Sequence, residues 1–330
     1  RILVFTVAGI HGERSLQLIT EREVKGAVYS LNAFNGKVLA GVNSKTQLYK
    51  WSENADNEKE LVSECGHHGH TLVLYMESRG DFIVVGDLMK SISLLNYKQL
   101  DGSIEEIAKD LNSNWMTAVG IMDDDTYIGS ETDFNLFVVQ RNSGAASDEE
   151  RGRLETVGEF HLGEFVNRFR YGSLVMQNNQ GTASSTDMVD VQEKELTKTS
   201  TILAPQNQPM LFGTNQPMLF GTVSGMIGVI LSITKEHYLW LLRVQNALNK
   251  VVKGVGGFSH KEWRTFENRR AVNESRNFID GDLIESLLDL PKDDVEKVVQ
   301  ALNNDGHLDS ADEFTMEGLI GRIEELTQLH

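Results

Sequence analysis

The chain has 330 residues, a formal net charge of −17, 40% apolar and 24% charged residues, and a single cysteine. Length and apolar content suit a folded chain of two or three domains. The acidic balance argues against a broad nucleic-acid face, which needs clustered Lys and Arg. One cysteine excludes an internal disulfide, and no apolar run reaches the ~18 residues of a membrane-spanning helix.

Arg1–Val7 reads as an apolar strand. Ala8–Ser15 reads as a Gly-containing loop, and Leu16–Val24 as a second strand. The pair looks like the closing strands of a blade that starts elsewhere, and the opening residue, Arg1 rather than Met, suggests a piece of a longer protein. An exposed sheet edge is expected there.

From Gly26 to Asn142 one pattern occurs three times: apolar run, tight turn, second apolar run, third strand. The rounds start at Ala27, Thr71 and Trp115, 44 residues apart each time. A period of ~40–45 residues with several strands per round marks propeller blades. Asn35-Gly36 is a hairpin signal in the first round. Arg79-Gly80 and Asp123-Asp124-Asp125 fill the same place in the second and third. Fourth strands are expected at Leu61–Glu64, Ile104–Ala108 and Leu154–Phe160. A solvated hairpin tip explains the acidic triplet better than a metal cage.

Cys65-Gly66-His67-His68-Gly69-His70 packs four zinc-type ligands into six residues, with no second ligand pair elsewhere, so an inter-blade loop is the simpler reading. Asp148–Arg153 reads as a charged loop. A fourth round begins at Phe160–Leu174. It is interrupted by Gln177–Pro209, whose polar composition predicts a long mobile loop open to Ser/Thr phosphorylation. The octet NQPMLFGT occurs twice, at Asn207–Thr214 and Asn215–Thr222, and the second copy is the expected strand.

From Thr234 the apolar period becomes helical. Tyr238, Leu241, Leu242, Leu248, Val251 and Val252 form one stripe, ending at Gly254. His260–Phe266 reads as a short helix. Asp280 is a plausible N-cap for a helix bearing Ile284, Leu287 and Leu288, and Pro291 opens a helix lined by Val295, Val298, Val299 and Leu302. A last helix carries Leu319, Ile320, Ile323 and Leu326. Asn303–Asp312 fits a polar turn better than a calcium loop, because Ala301 would fall at loop position one.

The expected fold class is mainly β: a partial β-propeller of about four blades over 1–233, with the loop at 177–217, then a small all-α domain over 234–330. No nucleophile elbow, phosphate-cradling Gly loop or HExxH is present. His161 and Glu164 lie close in sequence, an arrangement more often structural than catalytic. A metal-dependent enzyme using His67–His70 is the least favoured reading, and no cofactor is expected.

Seven segments carry a specific likeness: EVKGAVYS (Glu23–Ser30), RGDFIVVGDLMKS (Arg79–Ser91), NWMTAV (Asn114–Val119), DEER (Asp148–Arg151), FHLGEFVN (Phe160–Asn167), LFGTVSGMIG (Leu219–Gly228) and FIDGDLIES (Phe278–Ser286). In these the chain resembles the DNA damage-binding protein 1 family, the large adaptor subunits of cullin-4 ubiquitin ligases. Scaffolds of mRNA splicing and polyadenylation share that fold and give the alternative reading. The likeness runs from Arg1 to His330 apart from 177–217.

The resemblance implies the back half of the family's third, WD40-like propeller plus its C-terminal helical domain. The implied function is a non-catalytic scaffold in DNA repair and protein ubiquitination, in the nucleus and cytoplasm. The implied partners are substrate receptors and viral hijackers, gripped through a helical motif. Cullin-4 would dock only through a propeller not represented here, DNA only through a partner subunit, and no membrane is implied. The implied receptor-binding positions are Ala27, Tyr29, Ser30, Leu72, Leu74, Tyr75, Leu88, Lys90, Trp115, Phe165, Asn167 and Val223. Lys90 stands where the family usually has Arg, so a bidentate contact would be lost there. Starts and ends of inner strands meet at one mouth of a propeller, which is where these residues fall.

Overall fold

The structure, a computed structural model, describes residues 1–9, 14–53, 58–174, 217–304 and 314–327. The polar stretch Gln177–Pro209 and the first octet copy lie outside those residues, as does most of the tested calcium loop.

The chain opens with a hairpin of β1 (Ile2–Ala8) and β2 (Ser15–Arg22). Three four-stranded antiparallel blades follow. The first is β3 (Val28–Phe34), β4 (Lys37–Val42), β5 (Lys45–Glu53) and β6 (Lys59–His68). The second is β7 (Val73–Arg79), β8 (Phe82–Asp87), β9 (Ile92–Lys98) and β10 (Ser103–Asp110). The third is β11 (Met116–Ile121), β12 (Thr126–Glu131), β13 (Asn135–Arg141) and, after the short helix α1 (Asp148–Arg151), β14 (Arg153–His161).

A fourth blade contributes β15 (Val166–Tyr171), β16 (Met218–Thr222) and β17 (Ile227–Ile230). The strand β16 comes from the second octet copy, as expected. Asn35 (φ 48°) and Gly36 (φ 74°) turn the first hairpin in the left-handed conformation that Asn-Gly favours.

The blades fan about one axis. β3, β7, β11 and β15 lie side by side as the inner strands. The outer strands β10 and β14 touch in parallel through Lys109↔Arg153 and Asp110↔Leu154, which joins the second and third blades into one eight-stranded sheet.

Alternation puts apolar residues on both faces of each blade, so the core forms as seams between blades. Phe34, Leu39 and Leu48 meet Met76, Ile83 and Leu95 in the first seam. Val84, Ile92 and Leu94 meet Val119, Tyr127 and Phe137 in the second. Ile128, Leu136 and Phe160 meet Phe169, Met218 and Phe220 in the third. The hairpin covers the first blade with Ile2 and Val4, while Leu3, Phe5 and Val7 on its other face are exposed.

Helices follow: α2 (Lys235–Val251), α3 (His260–Trp263), α4 (Gly281–Glu285), α5 (Lys292–Asn303) and α6 (Met316–Thr327). All but α3 share a core of Leu241, Val244, Leu248, Ile284, Leu287, Val295, Val298, Leu302, Leu319 and Ile323, Leu287 coming from the turn after α4. Among the described residues no helix is long and apolar enough to cross a membrane.

Several local expectations change. Asp148–Arg151, expected as part of a charged loop, forms the helix α1, where the Ser147 side chain caps the N-terminus by accepting the Glu150 N–H. The helix at His260 ends at Trp263, and Phe266–Glu267 (β18) pairs with Val272–Asn273 (β19) as a small ribbon. Phe266 then buries in the second propeller seam, and Phe278 packs half-buried against the third. Leu288, placed on the buried helical face by spacing, is 37% exposed, because a 3-10 turn (Ser286–Asp289) interrupts the α period.

Candidate functional site: the mouth of the inner strands

All four inner strands begin at the same end of the molecule, and each carries a bulge on entry. Pairing skips Tyr29 between Val28 and Ser30, Leu74 between Val73 and Tyr75, Thr117 between Met116 and Ala118, and Asn167 between Val166 and Arg168. A bulge re-aims the side chain of the residue it leaves unpaired. Three of the four bulged residues, Tyr29, Leu74 and Asn167, are expected receptor-binding positions.

A second regularity places more of the set. Leu72, Trp115 and Phe165 occupy equivalent positions just before their inner strands. Their carbonyls accept from the N–H of Leu88 (3.1 Å), Thr132 (3.0 Å) and Val223 (2.9 Å) across the blade. Leu72 is therefore opposite Leu88, and Phe165 opposite Val223. Trp115 is 42% and Val223 67% exposed, while Phe165 and Leu88 are half-buried.

In the first blade Ala27 is exposed and takes its place through Asn43, whose N–H donates to the Ala27 carbonyl and whose Oδ1 accepts the Ala27 N–H, both at 3.0 Å. Lys90 is exposed in the turn after β8. Twelve residues read as one set thus come to one end of the blades, at different depths. Ser30 is half-buried and its hydroxyl donates to the Val73 carbonyl at 3.2 Å, linking the first two blades. Tyr75 is half-buried and packs on the seam between the second and third blades, where burial pushes its phenol pKa up.

Phe134 has no place in the expected set, yet it belongs to this rim. It sits in the turn between β12 and β13 with φ 63°, is 44% exposed, and meets Phe165 edge-on at 6.3 Å. A bulky aromatic in the left-handed region is an outlier. Its carbonyl accepts from Leu162 (3.0 Å) and Gly163 (3.2 Å), which fixes the turn against the fourth-blade entry. Alternation patterns carry no signal for such a turn residue. The one available signal was the aromatic itself between Asp133 and Asn135, in a segment that otherwise reads as a polar turn.

The charged clusters resolve differently. Cys65–His68 continue β6 rather than forming a loop, since Lys45↔His68 and Thr46↔His67 extend the ladder past the bulge at Leu48/Tyr49. His67 and His70 both approach the Glu106 carboxylate, at 3.9 and 4.0 Å, and Lys109 approaches it at 3.2 Å. Among the described residues no group of three or more His, Cys, Asp or Glu is arranged to hold a metal.

In the acidic triplet, Asp123 accepts the N–H of Asp125 at 2.9 Å, Asp125 accepts from Ser143, and Asp124 faces Arg79. His161 bonds Asn135 at 2.8 Å and stands edge-on to Trp263 rather than pairing with Glu164, which accepts from Ser224.

A cavity of about 450 Å³ opens at the other end of the inner strands among Glu77, Arg79, Ile121, Phe169 and Tyr171. There Arg168 and Arg170 both pair with Glu77, and Arg79 with Asp124, so each charged group named already has a partner. The aromatic rim is an open surface of the kind that suits a protein partner, and it outweighs the cavity as the candidate site.

A family model, that of the CPSF A subunit region, matches residues 1–289. The chain is 53% identical over its full length to DNA damage-binding protein 1a of Arabidopsis thaliana and 51% identical to DNA damage-binding protein 1 of Oryza sativa subsp. japonica. It spans 26% of the length of each of these relatives. With a family model covering most of its length and its strands arranged as propeller blades, the chain belongs to the CPSF A subunit region family.

Proposed function

We propose that this chain is a non-catalytic interaction scaffold, part of the adaptor of a cullin-4 ubiquitin ligase, whose blade mouth receives a helical segment of a substrate receptor. The carrying observation is the repeated geometry of the mouth, where Leu72, Trp115 and Phe165 stand at equivalent strand ends, Val223 lies opposite Phe165 and Phe134 closes the rim. Exposed aromatic and aliphatic side chains converging on one opening are what an amphipathic helix buries. In this reading residues 1–233 are the partial propeller and 234–330 the helical domain. Cullin contact lies in chain beyond this piece, and DNA is reached through a partner subunit, in the nucleus and cytoplasm.

The test is a titration of purified substrate-receptor subunits against the chain and its Trp115→Ala variant. Truncating a rim aromatic should weaken binding about tenfold or more. Because Trp115 is substantially exposed, its urea midpoint should stay close to the parent's. Unchanged receptor affinity sinks the proposal. The resemblance to scaffolds of mRNA splicing and polyadenylation gives a second reading, a scaffold subunit of such a complex. Co-purification with such subunits, and with no ligase receptor, would select it.

A further inference from the structure

We infer that Asp87 is a positioning residue of the mouth, its one carboxylate setting two backbone arms that carry Leu72, Leu88 and Lys90. This rests on the receptor-binding reading above. Asp87 ends β8 and is 3% exposed. Oδ2 accepts the N–H groups of Thr71 (2.7 Å) and Leu72 (3.1 Å). Oδ1 accepts those of Met89 (3.0 Å) and Lys90 (3.1 Å). The Asp87 N–H donates to the Ser91 carbonyl at 2.9 Å, and Ser91 (φ 61°) turns the chain into β9. Each arm lies outside the strand ladders, so its amides need an acceptor in order to be buried. One oxygen serves each arm.

Equivalent positions in the other blades do less. In the first blade that position is Val42, which pairs with Val28 as Asp87 pairs with Val73 and has no side-chain acceptor; the next residue, Asn43, accepts the Ala27 N–H. Glu131, 44 residues later, turns to Asn135 and Asn268 instead. Thr222 in the fourth blade accepts the Met226 N–H at 3.1 Å. Among the described residues, one side chain clamps both arms of the mouth in the second blade alone.

This makes Asp87→Asn informative. An amide has one oxygen, so it can hold one arm while its NH₂ faces the donors of the other. Asp87→Thr keeps a single acceptor. Thr is the residue the fourth blade carries at this position, at Thr222, and Asn is close to Asp in size, so both suit the fold.

Hydrogen exchange on the whole 330-residue chain reads the clamp without any ligand. Amides of Thr71 and Leu72, or of Met89 and Lys90, should exchange at least tenfold faster in Asp87→Asn, with Val84 and Leu94 unchanged. Receptor titration should show about tenfold weaker binding. That loss should shrink in a Lys90→Ala background and persist in full in a Phe165→Ala background, a pattern that general destabilisation would not produce.

Unchanged exchange at both arms in both variants overturns the inference. So does loosening of an arm with no change toward a receptor that Trp115→Ala weakens. If Trp115→Ala and Phe165→Ala both leave binding intact, the receptor reading fails and Asp87's role in it fails too, whereas the exchange result still tells whether the carboxylate holds the arms.

Discussion

The Asp280 carboxylate accepts the Nε–H of Arg264 at 2.7 Å, with both side chains almost fully buried. His260 Nε2 reaches the same oxygen at 2.7 Å. Arg264 also donates from Nη1 to the carbonyls of His161 (3.2 Å) and Leu162 (3.0 Å) and lies over the Phe160 ring at 4.8 Å. The pair therefore ties the start of α4 to the link between β14 and β15, and so holds the helices on the blades.

Asp280→Ala is expected to destabilise the chain by about 3–5 kcal/mol in urea unfolding, because it strands a buried guanidinium. Burial pushes the Asp280 carboxyl up, but the His260 hydrogen bond and the Arg264 charge more than offset this and hold it below the usual range. A folded-state pKa below the unfolded value of ~3.9 means the contribution is complete above that pH and lost as pH falls through the folded value. Acid unfolding of the parent should thus include a component below about pH 4 that Asp280→Asn lacks.

Asp280 also shows where sequence reasoning stops. Its position before α4 marks it as a helix cap, and it is the N-cap, but its side chain makes no cap hydrogen bond. The partner that takes it, Arg264, is set by tertiary packing. The blades themselves were legible because each strand pair is local: alternation, a turn such as Asn35-Gly36, and a 44-residue repeat all lie within one round.

Phe266 and Phe278 were not legible. They lie in an aperiodic polar segment whose register depends on long-range contacts such as Arg276 with Glu159 (2.9 Å) and Asn273 with the same carboxylate (3.0 Å). Nor was the run from Cys65 to His68. Gly66 and the polar residues read as a loop, whereas Gln47 reaches across from β5 to donate to the Cys65 carbonyl and Ser63 hydroxyl. The mouth was legible as strand ends but not as turn residues.

That gap motivates a test at Phe134. Its left-handed backbone costs an L-residue roughly 1–2 kcal/mol, which glycine does not pay. Its ring is 44% exposed, so truncation loses little burial. Phe134→Gly should therefore leave stability within about 1 kcal/mol of the parent or raise it, while Phe134→Ala, which retains the strain, should be the less stable of the two. Both variants should bind receptor more weakly, since each removes the ring that meets Phe165. Receptor affinity equal to the parent's in both would remove Phe134 from the rim.

Two half-buried histidines set a pH dependence whose sign can be worked out. Burial holds the His67 imidazole below its ordinary value, against a smaller upward pull from Glu106. Burial does the same to His161, and the Arg264 charge adds to it. In the unfolded chain both groups protonate near pH 6.5, before their folded counterparts do. Between the unfolded and folded values the unfolded state binds more protons, so stability falls as pH falls through that window and levels off below it. Urea unfolding at pH 7.5, 6.5 and 5.5 should show the decline in the parent. The double variant His67→Gln/His161→Gln should show a shallower one, which separates these two groups from every other titrating side chain. Equal slopes in parent and double variant would mean that neither imidazole is held neutral by the fold.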